Sequence, residues 1–90
     1  MSNAEKITTL QDLEEFCSYY KISPGYRADD WMPVLHGNLR SLESVRRVLN
    51  DRFGIATTFE CDVQGYYLVM PYRQANFDTG ELMPVPYSTE

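Results

Sequence analysis

The sequence predicts an α+β fold: two amphipathic helices, with a short third between them, packed on a small two- or three-stranded antiparallel sheet. Three observations predict it. Apolar residues recur at steps of three and four over residues 7–21 and again over 41–53, the spacing of one helix face. From Ile55 to Val63 the period changes to two: Ile55, Thr57, Phe59, Cys61 and Val63 are apolar or β-branched, and Ala56, Thr58, Glu60 and Asp62 are small or polar. Tyr66, Tyr67, Leu68, Val69, Met70 and Tyr72 then supply a second run of strand-forming residues just past Gly65.

In the first helix Leu10, Leu13, Phe16, Cys17 and Tyr20 share a face. Thr8 or Thr9 is the expected N-cap, with Gln11 or Asp12 three residues on in the capping-box position. Asp12, Glu14 and Glu15 lie near the helix N-terminus, where the dipole favours negative charge. Tyr19 falls opposite the apolar face and is expected to be exposed. Ser23-Pro24-Gly25 breaks the helix. Asp29 or Asp30 can then cap a short helix that carries Trp31, Val34 and Leu35, admits Pro33 in its first turn and ends at Gly37.

For the second long helix the expected N-cap is Ser41, the stripe is Leu42, Val45, Val48, Leu49 and Phe53, and Gly54 is the C-terminal cap. Glu43 and Arg47 are spaced for an ion pair one turn apart. The hairpin turn reads two ways. Asp62-Val63-Gln64-Gly65 has the aspartate and glycine of a type I turn, whereas a Gln64-Gly65 loop puts Tyr66, Leu68, Met70 and Tyr72 on the side of Phe59 and Cys61. The second reading gives the more apolar face and is preferred. A further turn at Phe77–Gly80 leads into a short edge strand from Leu82 to Val85, since Pro84 and Pro86 cannot donate ladder hydrogen bonds.

One domain, 1–90, is expected, with residues 1–6 and 87–90 frayed. Ser2-Asn3-Ala4 reads as a tag remnant. Twelve aromatic residues and 43% hydrophobic content support a packed core rather than disorder. No run approaches the ~20 apolar residues of a membrane span, and no signal-peptide core follows Met1. Cys17 and Cys61 both fall at core-facing positions, which fits a reducing, cytoplasmic setting.

The net charge is -5, but it is unevenly spread. Residues 1–30 hold six acids and three bases, residues 31–53 two acids and four arginines, and residues 54–90 five acids and one arginine. An acidic chain gains nothing from bulk attraction to phosphate, so nucleic acid is disfavoured as a partner.

Catalytic groups are sparse. The one histidine, His36, pairs in principle with a cysteine as a nucleophile, or with Asp29 and Asp30 as a metal site, but neither spacing is diagnostic. A small enzyme centred on His36 therefore ranks last, and no cofactor or metal is expected.

Tyrosine is the stronger clue: seven residues, at 19, 20, 26, 66, 67, 72 and 87, exceed what a small core hides. The expected function is a non-catalytic acidic protein-binding module using Glu14, Glu15, Tyr19, Tyr26, Asp29, Asp30 and Trp31. Its size and charge match phage or mobile-element inhibitors that occupy a nucleic-acid-handling defence enzyme, of anti-CRISPR or anti-restriction type. The alternative is a nucleic-acid-binding or regulatory protein using Arg40, Arg46 and Arg47.

Overall fold

A computed structural model describes residues 6–85. The elements run α1 (Leu10–Tyr20), β1 (Ser23–Tyr26), β2 (Pro33–His36), α2 (Leu39–Phe53), β3 (Thr58–Asp62), β4 (Gly65–Val69), β5 (Arg73–Asn76) and β6 (Glu81–Pro84). The first four strands form one antiparallel sheet in the order β1-β2-β4-β3, and β5 pairs with β6 in a separate hairpin. The α+β class is as expected; the strand count and the short third helix are not. The expected fraying of 1–6 and 87–90, the tag remnant and Pro86 lie, Lys6 aside, outside the described residues.

Both helices start and stop for local reasons. Thr9 accepts a hydrogen bond from the Asp12 amide at 3.0 Å, and the Asp12 carboxylate accepts from the Thr9 amide at 3.2 Å, which closes a capping box. Partial burial pushes the Asp12 carboxyl up, but hydrogen bonds from Thr8 and Thr9 outweigh it and hold the group below its ordinary value. At the other end Lys21 takes the left-handed conformation, φ 61°, and caps α1. For α2 the cap is Asn38, not Ser41: its side chain accepts from the Ser41 amide at 2.8 Å, so the helix begins at Leu39. Gly54 closes α2 at φ 66° as expected. Glu43 and Arg47 do not form their ion pair.

The segment expected to be the short third helix forms β1 and β2 instead. Pro24 pairs with Leu35 on an edge strand, where its missing N–H can point away from the sheet, and Pro33 is the first residue of β2. Pro33, Val34 and Leu35 are all buried: Leu35 joins Leu68 in the core under the helices, while Val34 stands beside buried Val69 on the other face of the sheet.

The hairpin β3–β4 turns through Asp62-Val63-Gln64-Gly65, with Asp62 opposite Gly65 and the Asp62 side chain accepting from the Gln64 amide at 2.8 Å. The preferred Gln64-Gly65 loop is thus corrected by a two-residue register shift. The facing survives, because a shift of two leaves side chains on the same face: Phe59 stands opposite Leu68 and Cys61 opposite Tyr66.

The core lies between one sheet face and the two helices. Leu13 and Cys17 of α1, Leu42, Val45 and Leu49 of α2, and Leu35 and Leu68 of the sheet are fully buried. Removing any of these leucines to alanine removes roughly 2–5 kcal/mol. Cys61 is exposed rather than buried, a further correction: it sits one residue from the end of β3, near the tip of the hairpin. The β5–β6 hairpin closes the remaining side. It bonds the strand-like entry to α1 (Leu10 N–H to Gly80 O, 2.9 Å; Leu82 N–H to Thr8 O, 2.9 Å) and meets the β1–β2 connection through Ala75 N–H to Trp31 O, 2.9 Å.

Candidate protein-binding surface

Trp31 is the centre of the surface, and its position follows from the β1–β2 connection. Residues 27–31 make one closed turn: the Trp31 amide donates to Arg27 O at 2.7 Å, the Arg27 amide to Met32 O at 3.0 Å, and the Met32 amide to the Asp30 carboxylate at 3.1 Å. Such a turn ends most easily on a left-handed residue, normally glycine. Here the residue is Trp31, at φ 58°, an uncommon conformation for a bulky side chain. The Ala75 amide pins its carbonyl from the other hairpin, and the Gln74 side chain donates to Asp30 O at 3.1 Å.

The ring so held is 44% exposed and meets Phe77, itself 54% exposed, edge-on at 5.2 Å. Phe77 also meets Tyr26 edge-on at 5.3 Å, and Met83 lines the same hollow of about 530 Å³. Phe77 is lifted into this place by the β5–β6 turn, in which the Asn76 side chain accepts from the Asp78 and Thr79 amides and Gly80 adopts φ 76°.

Charge around the aromatics is negative but not uniform. A hydrogen bond from Arg27 (3.0 Å), and next the Met32 amide, hold the Asp30 carboxyl below its ordinary value; the same bond to Asp30 raises Arg27. Asp30 is therefore a structural carboxylate already paired. Asp29 in the same turn and Asp78 beside Phe77 are exposed. Burial raises the Tyr26 phenol first, and the charge of Glu14 raises it further; its hydroxyl is shielded and has no partner among the described residues.

Of the residues expected at the interface, the fold thus brings together Glu14, Tyr26, Asp29, Asp30 and Trp31. It separates Glu15 and Tyr19 from them. Glu15 accepts from Gln11, and Tyr19, 79% exposed, packs on Tyr20 at 4.9 Å, around α1 from Glu14. Tyr20 continues through Phe16 to Phe53 as a separate aromatic string. Sequence reasoning missed Phe77 and Met83. The signal was present: a phenylalanine followed by Asp-Thr-Gly is an apolar residue at a turn tip, where nothing covers it.

The other candidate groups are dispersed. His36 ends β2 and lies beside Tyr67 at 5.4 Å, whose hydroxyl donates to Glu60 at 3.4 Å on the sheet face away from the helices. Cys17 is in the core, and burial, then the charge of Glu14, push its thiol up to about 12. Cys61 projects from the opposite side of the sheet to His36. Asp29 and Asp30 sit at the far end of β2 from it, and among the described residues no three histidine, cysteine or carboxylate groups gather as for a metal. Arg40, Arg46 and Arg47 are all exposed on α2. No helix among the described residues is long and apolar enough to cross a membrane. No protein-family model matches the chain, and neither does any curated protein or solved structure.

Proposed function

We propose that this chain is a non-catalytic protein-binding module that grips its partner through Trp31, Phe77 and Met83, with Asp29, Asp78 and Glu14 as an acidic rim. One observation carries the reading: a half-exposed tryptophan is held in a strained backbone conformation by hydrogen bonds from two separate hairpins. Strain of this kind is kept where a side chain must stand in one place. A fixed tryptophan loses little freedom on binding, and tryptophan dominates the few residues that carry most interface energy. The acidic rim suits a partner with a cationic surface around an apolar hollow, such as the groove of a nucleic-acid-handling defence enzyme. Occupying that groove makes the module an inhibitor of the phage or mobile-element kind.

The test uses Trp31→Ala and Phe77→Ala beside the unaltered protein, all checked for native near-UV circular dichroism. A partner retained on the immobilised protein is expected to bind the variants at least ~30-fold more weakly, the loss typical of an interface hot spot. Asp29→Lys with Asp78→Lys is expected to slow association and flatten its salt dependence. Retention unaffected by loss of either ring refutes the reading.

A further inference from the structure

The two edges of the four-stranded sheet are treated differently. At β1 the edge carries Pro24 and packs against α1. At β3 there is no proline, no strand lies outside it among the described residues, and four of its five residues are exposed. The tight Asp62–Gly65 turn makes positions 62, 60 and 58 the hydrogen-bonded pairs with β4, so Phe59 and Cys61 direct their N–H and C=O groups outward. An open row of main-chain donors and acceptors is a template for an added strand.

Beside this edge runs a groove of about 560 Å³ between β3 and the polar side of α2. Its wall holds Arg46, whose guanidinium lies 5.7 Å over the Phe59 ring, and Arg47. Neither arginine makes an ion pair or hydrogen bond with a described residue. Thr57, also in the wall, has a shielded hydroxyl without a partner among the described residues. Glu43 and Asp51 stand one helical turn to either side of Arg47, so positive charge is confined to the middle of the groove.

We propose that this edge and groove bind an extended segment of a partner protein as a fifth strand, with one carboxylate of that segment on Arg46 and Arg47. Main-chain pairing along Phe59 and Cys61 supplies the affinity, and the alternate side chains facing α2 supply the selectivity. The charge pattern chooses the occupant. A second copy of β3 would bring Glu60 and Asp62 against the same carboxylates across the ladder, which is repulsive. A polyanion would meet Glu43, Asp51, Glu60 and Asp62 around two arginines. A strand with a single acid toward α2 and basic or neutral residues toward Glu60 avoids both conflicts. The site lies on the opposite edge of the sheet from β1 and its Trp31 turn, so it does not depend on the function proposed above.

The probe is the synthetic peptide acetyl-Lys-Val-Thr-Glu-Thr-Val-Lys-amide, titrated into ¹⁵N-labelled protein. The expected result is a saturable shift of the Phe59 and Cys61 amides, with slowed hydrogen exchange at both. Replacing the peptide's glutamate by glutamine is expected to weaken binding about tenfold, as loss of a charge-assisted hydrogen bond does. Arg46→Gln with Arg47→Gln, both exposed and so expected to fold, should do the same. No saturable shift at millimolar peptide overturns the proposal. So does binding unchanged by both the glutamine peptide and the arginine variant, or tighter binding of a ten-residue thymidine oligonucleotide to the same amides.

Discussion

Replacing Trp31 by alanine and by glycine separates the worth of its ring from the cost of its backbone. The ring is 44% exposed, so roughly half of a tryptophan side chain, on the order of 100 Å², is buried; at about 25 cal/mol per Å² this contributes about 2–3 kcal/mol, and the edge contact with Phe77 adds ~1 kcal/mol. Trp31→Ala loses both and keeps the left-handed backbone at φ 58°. That conformation costs a non-glycine residue roughly 1–2 kcal/mol. Trp31→Gly relieves it, against about 0.5–1 kcal/mol of extra unfolded-state freedom. The glycine variant is therefore expected to be more stable than the alanine variant by about 0.5–1 kcal/mol. In urea, with a slope near 1 kcal/mol/M for a chain of this size, the midpoints differ by roughly 0.5–1 M. Lys21 is the built-in control: it has φ 61° at the end of α1, where a left-handed residue is ordinary, and the same alanine-to-glycine gain is expected there. If the glycine variant at Trp31 is the weaker of the two while Lys21 shows its gain, the turn relaxes without the ring and the strain argument fails.

Gly37→Ala places a methyl group 2.7 Å from Cγ2 of buried, β-branched Ile22, and is expected to destabilise by roughly 1–3 kcal/mol; Gly25→Ala, whose nearest contact is 3.8 Å, is the near-neutral comparison by thermal melting. At pH 8 a thiol reagent should modify exposed Cys61 at once. Cys17, raised to about 12, should react only at the rate of unfolding, so two equal fast phases would contradict its burial. The Asp12 carboxyl is lowered below 3.8 in the fold, so its capping contribution is fully present above that value and is lost as pH falls through the folded value. Asp12→Asn should accordingly be less stable than the unaltered chain at pH 7, with the gap closing as pH falls through the lowered folded-state value in a series of urea titrations.

Both long helices and the β3–β4 hairpin were legible because each carries its own period over nine or more residues, and Thr9, Gly54 and Asp62 mark their ends. The β1–β2 pair was not. Ser23-Pro24-Gly25-Tyr26 has the composition of a turn, and Pro33-Val34-Leu35-His36 is too short to show a period, so both become strands only because β4 offers a ladder to β2. That is tertiary context overriding local preference. The same limit governed the site. Asp30 and Trp31 were recognisable as unusual residues in an irregular stretch, but Phe77 joins them only through the second hairpin, 46 positions on from Trp31, a separation no local pattern spans.

The two candidate surfaces use opposite physical means, and that makes them separable. At Trp31 the chain holds one large side chain still at the expense of backbone strain; at β3 it leaves main-chain groups unstrained and open, guarded by Glu60 and Asp62 against its own kind. The first is indifferent to the partner's backbone and demands a pocket. The second demands an extended backbone and is nearly indifferent to most side chains. They sit toward opposite edges of the four-stranded sheet and share no residue, so substitutions in one should add to those in the other within a few tenths of a kcal/mol. A double variant, Phe77→Ala with Arg46→Gln, therefore distinguishes two independent grips from one continuous interface. Additive losses in binding free energy indicate separate contacts, whereas a loss well short of the sum indicates a single surface whose partner lets go as a unit.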